Sequence, residues 1–170
     1  MTWDDDAEWL VSQPIVLPML GGEERTVIVD GYEDDDRPED FHTAIAHFLA
    51  ATPAALHAAE HEIYRYYLDM AGFYNDLPLK IGSPGDVWKH IQLDLQPAVS
   101  RRSSGDKAIY VSLSCQCDWE IEHGLVLVLR NGTTVCRVGM YSDHLTTSDA
   151  YGRPELENVI YPGLKHDEPG

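Results

Sequence analysis

The amino-acid sequence predicts an α+β fold: an antiparallel sheet, mainly in the C-terminal half and with an Asn-Gly hairpin, carrying two helices of the N-terminal half on one face. Three observations lead to this class. Apolar residues recur at helical spacing between positions 38 and 75, and they alternate with period two between positions 87 and 119. Asn131-Gly132 then separates two β-branched runs. Helices followed by a series of strands are typical of α+β domains.

The first two elements are a predicted hairpin and a predicted helix. The apolar segments 14–20 and 25–32 flank Gly21-Gly22, a pair typical of a hairpin turn. A helix is predicted from about Pro38 to Ala50, because proline is favoured in the first helical turn and the acidic residues that follow it interact well with the positive helix end.

A second helix is predicted to begin at Thr52-Pro53 and to end by Asn75. Threonine is a good N-cap residue, and proline is favoured at the first helical position. Its predicted core stripe consists of Leu56, Ala59, Ile63, Tyr67, Met70 and Phe73.

The second half of the chain is predicted to form strands. Segments 87–95 and 108–119 alternate with period two, and segment 123–141 contains Asn131-Gly132, whose residues tolerate the positive φ of a type I′ turn. We expect a single domain over residues 1–170. It divides into an acidic lead-in (1–12), a hairpin plus helices (13–75), antiparallel strands (80–145) and an irregular tail (146–170).

Acidic charge is the strongest global signal. The 170 residues carry a formal net charge of −17, and residues 1–40 alone hold thirteen acidic residues against two arginines. A field of this sign repels nucleic acid and anionic membranes, and it attracts basic partners. We therefore expect neither a nucleic-acid nor a membrane partner.

Cysteine usage and the N-terminus indicate the cytoplasm or another reducing compartment. The three cysteines are few and odd in number, which suits free thiols better than a disulfide framework. The N-terminus, MTWDDDAEWL, is acidic where a signal peptide is basic. No apolar run approaches the ~20 residues that span a bilayer.

One short stretch, His57-Ala-Ala-Glu60-His61, matches the helical zinc motif H-x-x-E-H. Two imidazoles four residues apart project to one side of a helix, as zinc binding requires. The downstream sequence supplies no obvious third ligand, and Glu60 lies beside the predicted core stripe. We interpret the stretch as an ordinary helix surface.

Polar residues cluster where two predicted strands end. Glu120, Glu122 and His123 follow one strand, and Asp143 and His144 follow the return strand of the hairpin. If both ends meet at one edge of the sheet, these side chains form an acid–base or metal constellation. The simpler interpretation, which we favour, is that they close tight turns by bonding backbone amides. We expect no catalytic residue, metal or cofactor.

The acidic segment before the first predicted helix is the candidate partner-binding surface. Its residues are Asp34, Asp35, Asp36, Glu39 and Asp40. An acidic surface matched to a basic partner sets association rate and specificity more than affinity. Apolar or aromatic anchors are expected to supply most of the affinity.

A spaced pattern runs through residues 117–146. It consists of Cys117-Asp118-Trp119, Glu122-His123-Gly124, Asn131-Gly132, Val138-Gly139 and Asp143-His144-Leu145, with Thr146 next. The pattern resembles a family of small bacterial domains of unknown function, although Asp143 stands where glycine is usual before the histidine. Proteins similar to these often accompany polymorphic or contact-dependent toxins, and several such families resemble immunity proteins.

The resemblance implies a binding module that neutralises a cognate toxin. Together with the acidic charge, it predicts a cytoplasmic immunity protein that occludes a basic active-site cleft. The alternative is a metal-dependent hydrolase that uses His123, His144 and the neighbouring carboxylates. A structural or regulatory subunit of a larger assembly is a third possibility.

Overall fold

The computed structural model describes residues 2–3, 9–74 and 76–163, and it confirms the α+β class. The helices are α1 (Glu39–Ala50), α2 (Ala54–His57), α3 (Glu60–Phe73) and α4 (Thr147–Tyr151), and short 3-10 helices cover Pro18–Leu20, Pro84–His90 and Pro154–Leu156. The strands are β1 (Thr2–Trp3), β2 (Trp9–Val11), β3 (Ile15–Leu17), β4 (Glu23–Arg25), β5 (Ile28–Asp30), β6 (Ile91–Gln92), β7 (Ala98–Arg101), β8 (Ile109–Cys117), β9 (Leu125–Arg130) and β10 (Thr134–Gly139).

Most of these strands form one sheet in the order β1-β2-β5-β7-β8-β9-β10, and β6 pairs with the end of β8. Neighbours are antiparallel except β5 and β7, which pair in parallel. Strands β3 and β4 form a separate hairpin across Gly21-Gly22, so the predicted turn is confirmed. The predicted second arm, segment 25–32, is wrong: its β5 pairs with β2 and β7 instead, because Val27 and Val29 are buried in the main core. Strands β1 and β2 belong to the sheet, so part of the acidic lead-in is ordered; residues 1 and 4–8 of that lead-in lie outside the described residues.

Strand β9 is buried on both faces, and β8 is buried on both faces only in its first part, because Ser114 and Gln116 are exposed. Ile109, Val111 and Leu113 of β8 belong to the main core, whereas Tyr110 and Val128 belong to a second, smaller core. Alternate side chains of a strand point to opposite faces of the sheet. A strand between two cores is therefore apolar throughout, as LVLVLR of β9 is.

Helices α1 and α3 cover the main-core face. Their buried residues are Phe41, Ala44, Phe48, Ile63, Tyr66, Tyr67 and Met70. The second predicted helix is in fact two, because the chain leaves helical geometry at Ala59, where ψ is 10°, between α2 and α3. Phe73, predicted as part of the core stripe, is exposed at the end of α3.

The segment predicted as a strand over residues 87–95 contains only two strand residues, 91 and 92, and four helical ones, 87–90. Its first part belongs to the 3-10 helix Pro84–His90, and only Ile91–Gln92 pairs with β8. Pro84 occupies the start of this helix, where its missing N–H costs nothing. The alternating pattern therefore reflects the burial of Val87 and Ile91 rather than an extended strand.

The β9–β10 hairpin turns at Asn131-Gly132, as predicted. The φ angles are 54° and 74°, the left-handed values that a type I′ turn requires. A Cβ atom at Gly132 would collide with the carbonyl oxygen of Ala44 in α1. Glycine is therefore needed both for the turn and for the close approach of the helix.

The second face of the sheet is covered by the segment that the sequence predicted to be an irregular tail. It contains α4 and the 3-10 helix Pro154–Leu156. The Thr146 hydroxyl caps α4 by accepting the N–H of Asp149, and Leu145 packs on the second core. Residues 164–170 of the predicted tail lie outside the described part of the chain.

Arg102 fastens this segment to the sheet. Its guanidinium is 4% exposed and donates to both carboxylate oxygens of Asp149, at 2.8 and 3.0 Å, and to both of Glu157, at 2.6 and 2.9 Å. Bidentate pairs of this kind are among the strongest polar contacts in proteins. Together with the Ser148 hydroxyl, Arg102 lowers the pKa of Glu157 to about 2.

The chain has free thiols at all three cysteines, Cys115, Cys117 and Cys136, as their small and odd number predicts. Burial raises the pKa of Cys115 and of Cys117 to about 12, so these thiols are unreactive near neutral pH. Among the described residues, no helix has both the length and the apolar content needed to cross a bilayer.

Replacing Arg102→Met is expected to lower the free energy of unfolding by about 3 kcal/mol, because it leaves the carboxylates of Asp149 and Glu157 without their partner. Urea unfolding at neutral pH measures this loss. The matched control is Arg153→Met at an exposed ion pair with Glu155, where the change should stay below about 1 kcal/mol.

The destabilisation caused by Arg102→Met should depend on pH, because pairing with Arg102 lowers the pKa of Glu157. Pairing lowers the pKa from 4.5 to about 2, so its stabilisation is complete above about pH 4.5 and is lost as the pH falls towards 2. The gap in stability between the parent and Arg102→Met should therefore narrow across that window. An equal gap at pH 7 and at pH 2 would contradict this role of Arg102.

Candidate functional site

The turn after β8 is organised around one buried carboxylate, that of Glu120. Its Oε1 atom accepts the backbone N–H groups of Glu122 at 3.2 Å and His123 at 3.3 Å. The turn closes at Gly124, whose φ of 66° and whose position against the carbonyl oxygen of Cys115 (a Cβ atom would lie 2.6 Å away) exclude larger residues. A carboxylate that satisfies backbone donors holds a turn in one conformation.

The other oxygen of Glu120 ties this turn to the end of α3. The Tyr74 hydroxyl donates to Oε2 at 3.1 Å, and Nδ1 of His123 lies 3.3 Å from Oε1. The hydrogen bond to the carboxylate, with partial burial, raises the pKa of Tyr74 above its ordinary value. Glu120 thus joins a helix end to a strand end.

The Cys-Asp-Trp part of the pattern is also structural. Trp119 is buried, and its ring makes edge contacts with Tyr66 and Tyr67 of α3, with centroids 5.9 and 6.1 Å apart. Asp118 accepts hydrogen bonds from Gln92 and contacts Nδ1 of His90 at 3.0 Å. These contacts hold the turn against α3 and β6.

Part of the predicted metal constellation does assemble. Glu120, Glu122 and His123 each offer a ligand atom within 4.8 Å of the others. Asp143 and His144 do not belong to this group; Asp143 accepts from the Tyr141 hydroxyl, and Nδ1 of His144 lies 3.1 Å from the Ser142 hydroxyl. Asp143 and His144, two of the five predicted residues, therefore contact other side chains and lie outside the possible metal site.

The HAAEH stretch does not form a metal group in the described part of the chain. His57 lies in α2 and His61 in α3, so the helix break between them removes the spacing that the motif assumes. Glu60 accepts the indole N–H of Trp88 at 3.0 Å, and the His57 ring packs on Trp88 with centroids 4.9 Å apart. The residues of the motif hold the 3-10 helix Pro84–His90 in place.

An exposed apolar surface surrounds the Glu120 turn, and we call it the sheet-end patch: Phe73, Tyr74, Ile121 and Tyr141. Ile121 is 88% exposed, Phe73 66% and Tyr141 52%. The rings of Phe73 and Tyr74 contact at 5.0 Å, and the backbone N–H of Tyr141 donates to the carbonyl of His123. Large apolar side chains exposed together mark interaction sites.

The sequence does not predict the sheet-end patch. A signal was present, since Ile121 stands between Glu120 and Glu122 in a turn, where an apolar residue has no core to enter. Phe73 was assigned to the core because its spacing fits the helical stripe. The convergence of a helix end with two strand ends cannot be seen from spacing alone.

The predicted partner-binding residues divide into two groups. Asp35 and Asp40 accept from the Arg101 guanidinium at 2.6–2.9 Å, and this pairing lowers the pKa of Asp35. Asp34, Asp36 and Glu39 have exposed side chains. The first two residues are therefore part of the fold, and only the exposed three, which we call the acidic loop, are free to meet a partner.

The acidic loop and the sheet-end patch lie at opposite ends of β8. Arg101, which holds the acidic segment, pairs with Ile109 at the start of the strand, whereas the patch follows Cys117 at its end. Nine residues in extended conformation span about 26 Å at ~3.3 Å per step. A single partner can contact both the acidic loop and the sheet-end patch only through a broad interface.

Replacing Glu120→Gln is expected to lower the free energy of unfolding by about 2 kcal/mol, because one amide oxygen cannot serve both the backbone donors and Tyr74. Urea unfolding measures the loss, and the pKa of Tyr74 in ¹³C NMR titrations should fall towards its ordinary value. Glu122→Gln, an exposed control in the same turn, should change stability by less than about 0.5 kcal/mol. An unchanged pKa of Tyr74 in Glu120→Gln would contradict the assignment.

Comparison with known proteins agrees with the resemblance seen in the sequence. A family model described as a domain of unknown function (DUF6985) matches residues 1–145. No curated protein and no solved structure matches the chain. The matched region contains the Glu120 turn and the whole sheet, whereas Asp149 and Glu157, the partners of Arg102, follow it. The chain therefore belongs to the DUF6985 family of domains of unknown function.

Proposed function

We propose that this protein is a binding module for another protein, and specifically an immunity protein that neutralises a cognate bacterial toxin in the cytoplasm by occluding its active site. The observation that carries the proposal is the sheet-end patch, which exposes four large apolar side chains beside carboxylates. Exposed carboxylates in the same segments are those of Asp76, Asp118, Glu122 and Asp143. An apolar centre with an acidic rim suits a basic partner surface.

The anchors of the patch suit tight binding because they are held in place before a partner arrives. Ile121 and Tyr141 flank a turn that Glu120 fixes through two backbone amides, and Tyr74 is bonded to the same carboxylate. Binding then costs less conformational entropy than it would on a loose loop. Tyrosines in such positions are frequent energetic centres of interfaces.

The acidic loop serves the encounter rather than the final affinity. Its three exposed carboxylates add to the negative field of a chain whose net charge is −17. Such a field accelerates association with a basic protein and weakens as salt rises. A nuclease or another toxin that acts on an anionic substrate presents the complementary positive cleft.

Affinity capture with the tagged protein, from a lysate of its source organism, is expected to yield one stoichiometric partner with a basic domain. The captured partner, produced alone in a test host, should arrest growth, and co-production of this protein should relieve the arrest. A preparation without a stoichiometric partner, or a partner that leaves growth unaffected, would contradict the proposal.

Ile121→Arg is expected to weaken binding of that partner at least tenfold, or by about 1.4 kcal/mol or more, because it places a cation at the apolar centre. Surface plasmon resonance measures the change in Kd. Val16→Arg is the matched control, since Val16 is 52% exposed on the separate β3–β4 hairpin. Equal losses in both variants would exclude the patch as the interface.

The combined change Asp34→Ser, Asp36→Ser and Glu39→Ser should lower the association rate constant about tenfold at low salt and leave the dissociation rate nearly unchanged. It should also reduce the salt dependence of association. Asp35→Ser is the contrasting variant, expected to reduce stability through loss of its pair with Arg101 rather than the association rate. An equal association rate constant in the triple variant and in the parent would show that the acidic loop has no steering role.

The alternative function, a metal-dependent hydrolase, is favoured by one observation, the proximity of Glu120, Glu122 and His123. Against it, Glu120 is already bonded to Tyr74 and to two backbone amides. Metal analysis of protein purified without chelators tests this alternative. One zinc or manganese ion per chain, lost in His123→Ala, would support the hydrolase over the immunity protein.

A further inference from the structure

A cavity of about 200 Å³ lies beside β10, the last strand of the sheet, and it is separate from the Glu120 carboxylate. Its walls come from the sheet, from α4 and from the segment that follows the 3-10 helix Pro154–Leu156. The lining residues that matter here are Tyr66, Arg137, His144, Ala150, Tyr151 and Tyr161. A cavity of about 150 Å³ accommodates a benzene ring, so this volume suits a small organic molecule.

Arg137 is the permanently charged side chain among the residues that line this cavity. It is 6% exposed. Its Nη1 atom donates to the carbonyl oxygen of His144 at 3.0 Å, and its Nη2 atom donates to the carbonyl oxygen of Met140 at 3.3 Å and to the Ser142 hydroxyl at 2.8 Å. All three acceptors are neutral, and no carboxylate of the described residues pairs with this guanidinium.

The backbone directs Arg137 towards the second face of the sheet. The register of β10 shifts between Val135 and Arg137, so that Val135 pairs with Leu129 and Arg137 pairs with Val128. Val128 belongs to the second core, whereas Leu129 belongs to the main core. A β-bulge of this kind re-aims one side chain, and here it moves an arginine away from the main core and to the cavity wall.

The environment of Arg137 differs from that of the other buried arginine. Arg102 is matched by two carboxylates, and its pKa is raised by them. Desolvation instead lowers the pKa of Arg137, and no carboxylate of the described residues pairs with it. A guanidinium stays protonated in proteins, and a buried cation without a counter-charge is unfavourable unless an anion joins it. The Arg137 guanidinium has five N–H groups and donates to three acceptors, so it can still donate to such an anion.

We propose that the Arg137 cavity binds a small organic carboxylate whose apolar or aromatic body packs among the tyrosines. One cation in the lining matches one negative charge, so a carboxylate suits the cavity better than a phosphate dianion does. The rings of Tyr66 and Tyr161 are held by hydrogen bonds from their hydroxyls to Gly124 and Asp69, and they form a preformed apolar wall. The cavity shares Tyr141 with the sheet-end patch, whereas Arg137 and Ala150 lie outside the patch, so carboxylate binding does not depend on the proposed function.

Benzoate is the probe that tests the site, and the readouts are calorimetry and the ¹H–¹⁵N resonance of the Arg137 Nε–H group. We expect saturable binding at one site per chain, a shift of the Arg137 resonance, and a rise in Tm with benzoate concentration. Benzamide, which is neutral, and inorganic phosphate should each bind at least about tenfold more weakly. Tighter binding of phosphate than of benzoate would overturn the assignment of a carboxylate.

Two variants separate a ligand site from a merely structural arginine. Arg137→Gln should abolish benzoate binding, and Ala150→Phe should block the cavity while leaving Arg137 and its three bonds in place. The matched control is Ala46→Phe on the exposed face of α1, which should bind benzoate as the parent does. If Arg137→Gln does not fold, benzoate binding by Ala150→Phe tests the proposal by itself. No saturable binding to the parent, or equal binding to Ala150→Phe, would overturn the proposal.

Discussion

One constraint shapes the whole fold: strand β9 and the first part of β8 are buried on both faces, so this part of the sheet must be covered on each side. Helices α1 and α3 cover the main-core face, and the segment from Leu145 to Leu156 covers the second. Two adjacent arginines secure these two covers. Arg101 binds the carboxylates before and within α1, and Arg102 binds those of the C-terminal segment. Neighbouring residues of an extended chain point to opposite faces of the sheet. Arg101 therefore binds α1 on one face, and Arg102 binds the C-terminal segment on the other.

In the Glu120 turn, a buried carboxylate has a structural role. Its carboxylate is surrounded by donors that require an acceptor, namely two backbone amides and the Tyr74 hydroxyl. The cost of burying the charge is offset by these bonds, and the result is a rigid turn that presents Ile121 to solvent.

Charge has different roles in different parts of the molecule. Asp35, Asp40, Asp149 and Glu157 are neutralised by arginines and hold layers together. The acidic loop and the rim of the sheet-end patch stay exposed, and they account for the proposed attraction of a basic partner. Arg137 is the reverse case, a buried cation whose acceptors, within the described part of the chain, are all neutral. A net charge alone distinguishes none of these roles.

Local signals in the sequence were enough to predict the α+β class, helix α1, the turns at Gly21-Gly22 and Asn131-Gly132, and the free thiols. These signals are helical or twofold periodicity, Pro38, the two glycine-containing pairs and the number of cysteines. They did not predict the second arm of the first hairpin, because the apolar run 25–32 joins the main sheet through β5. Only the packing of the whole chain sets which carboxylates are paired, how Tyr74 and Tyr141 come to contact the Glu120 turn, and how Arg137 comes to line a cavity. Partners such as Arg101 and Asp35 are separated by 66 positions, and a register shift in β10 sets which face Arg137 occupies. Long-range pairing and strand register arise from packing the whole chain, so no local pattern contains them.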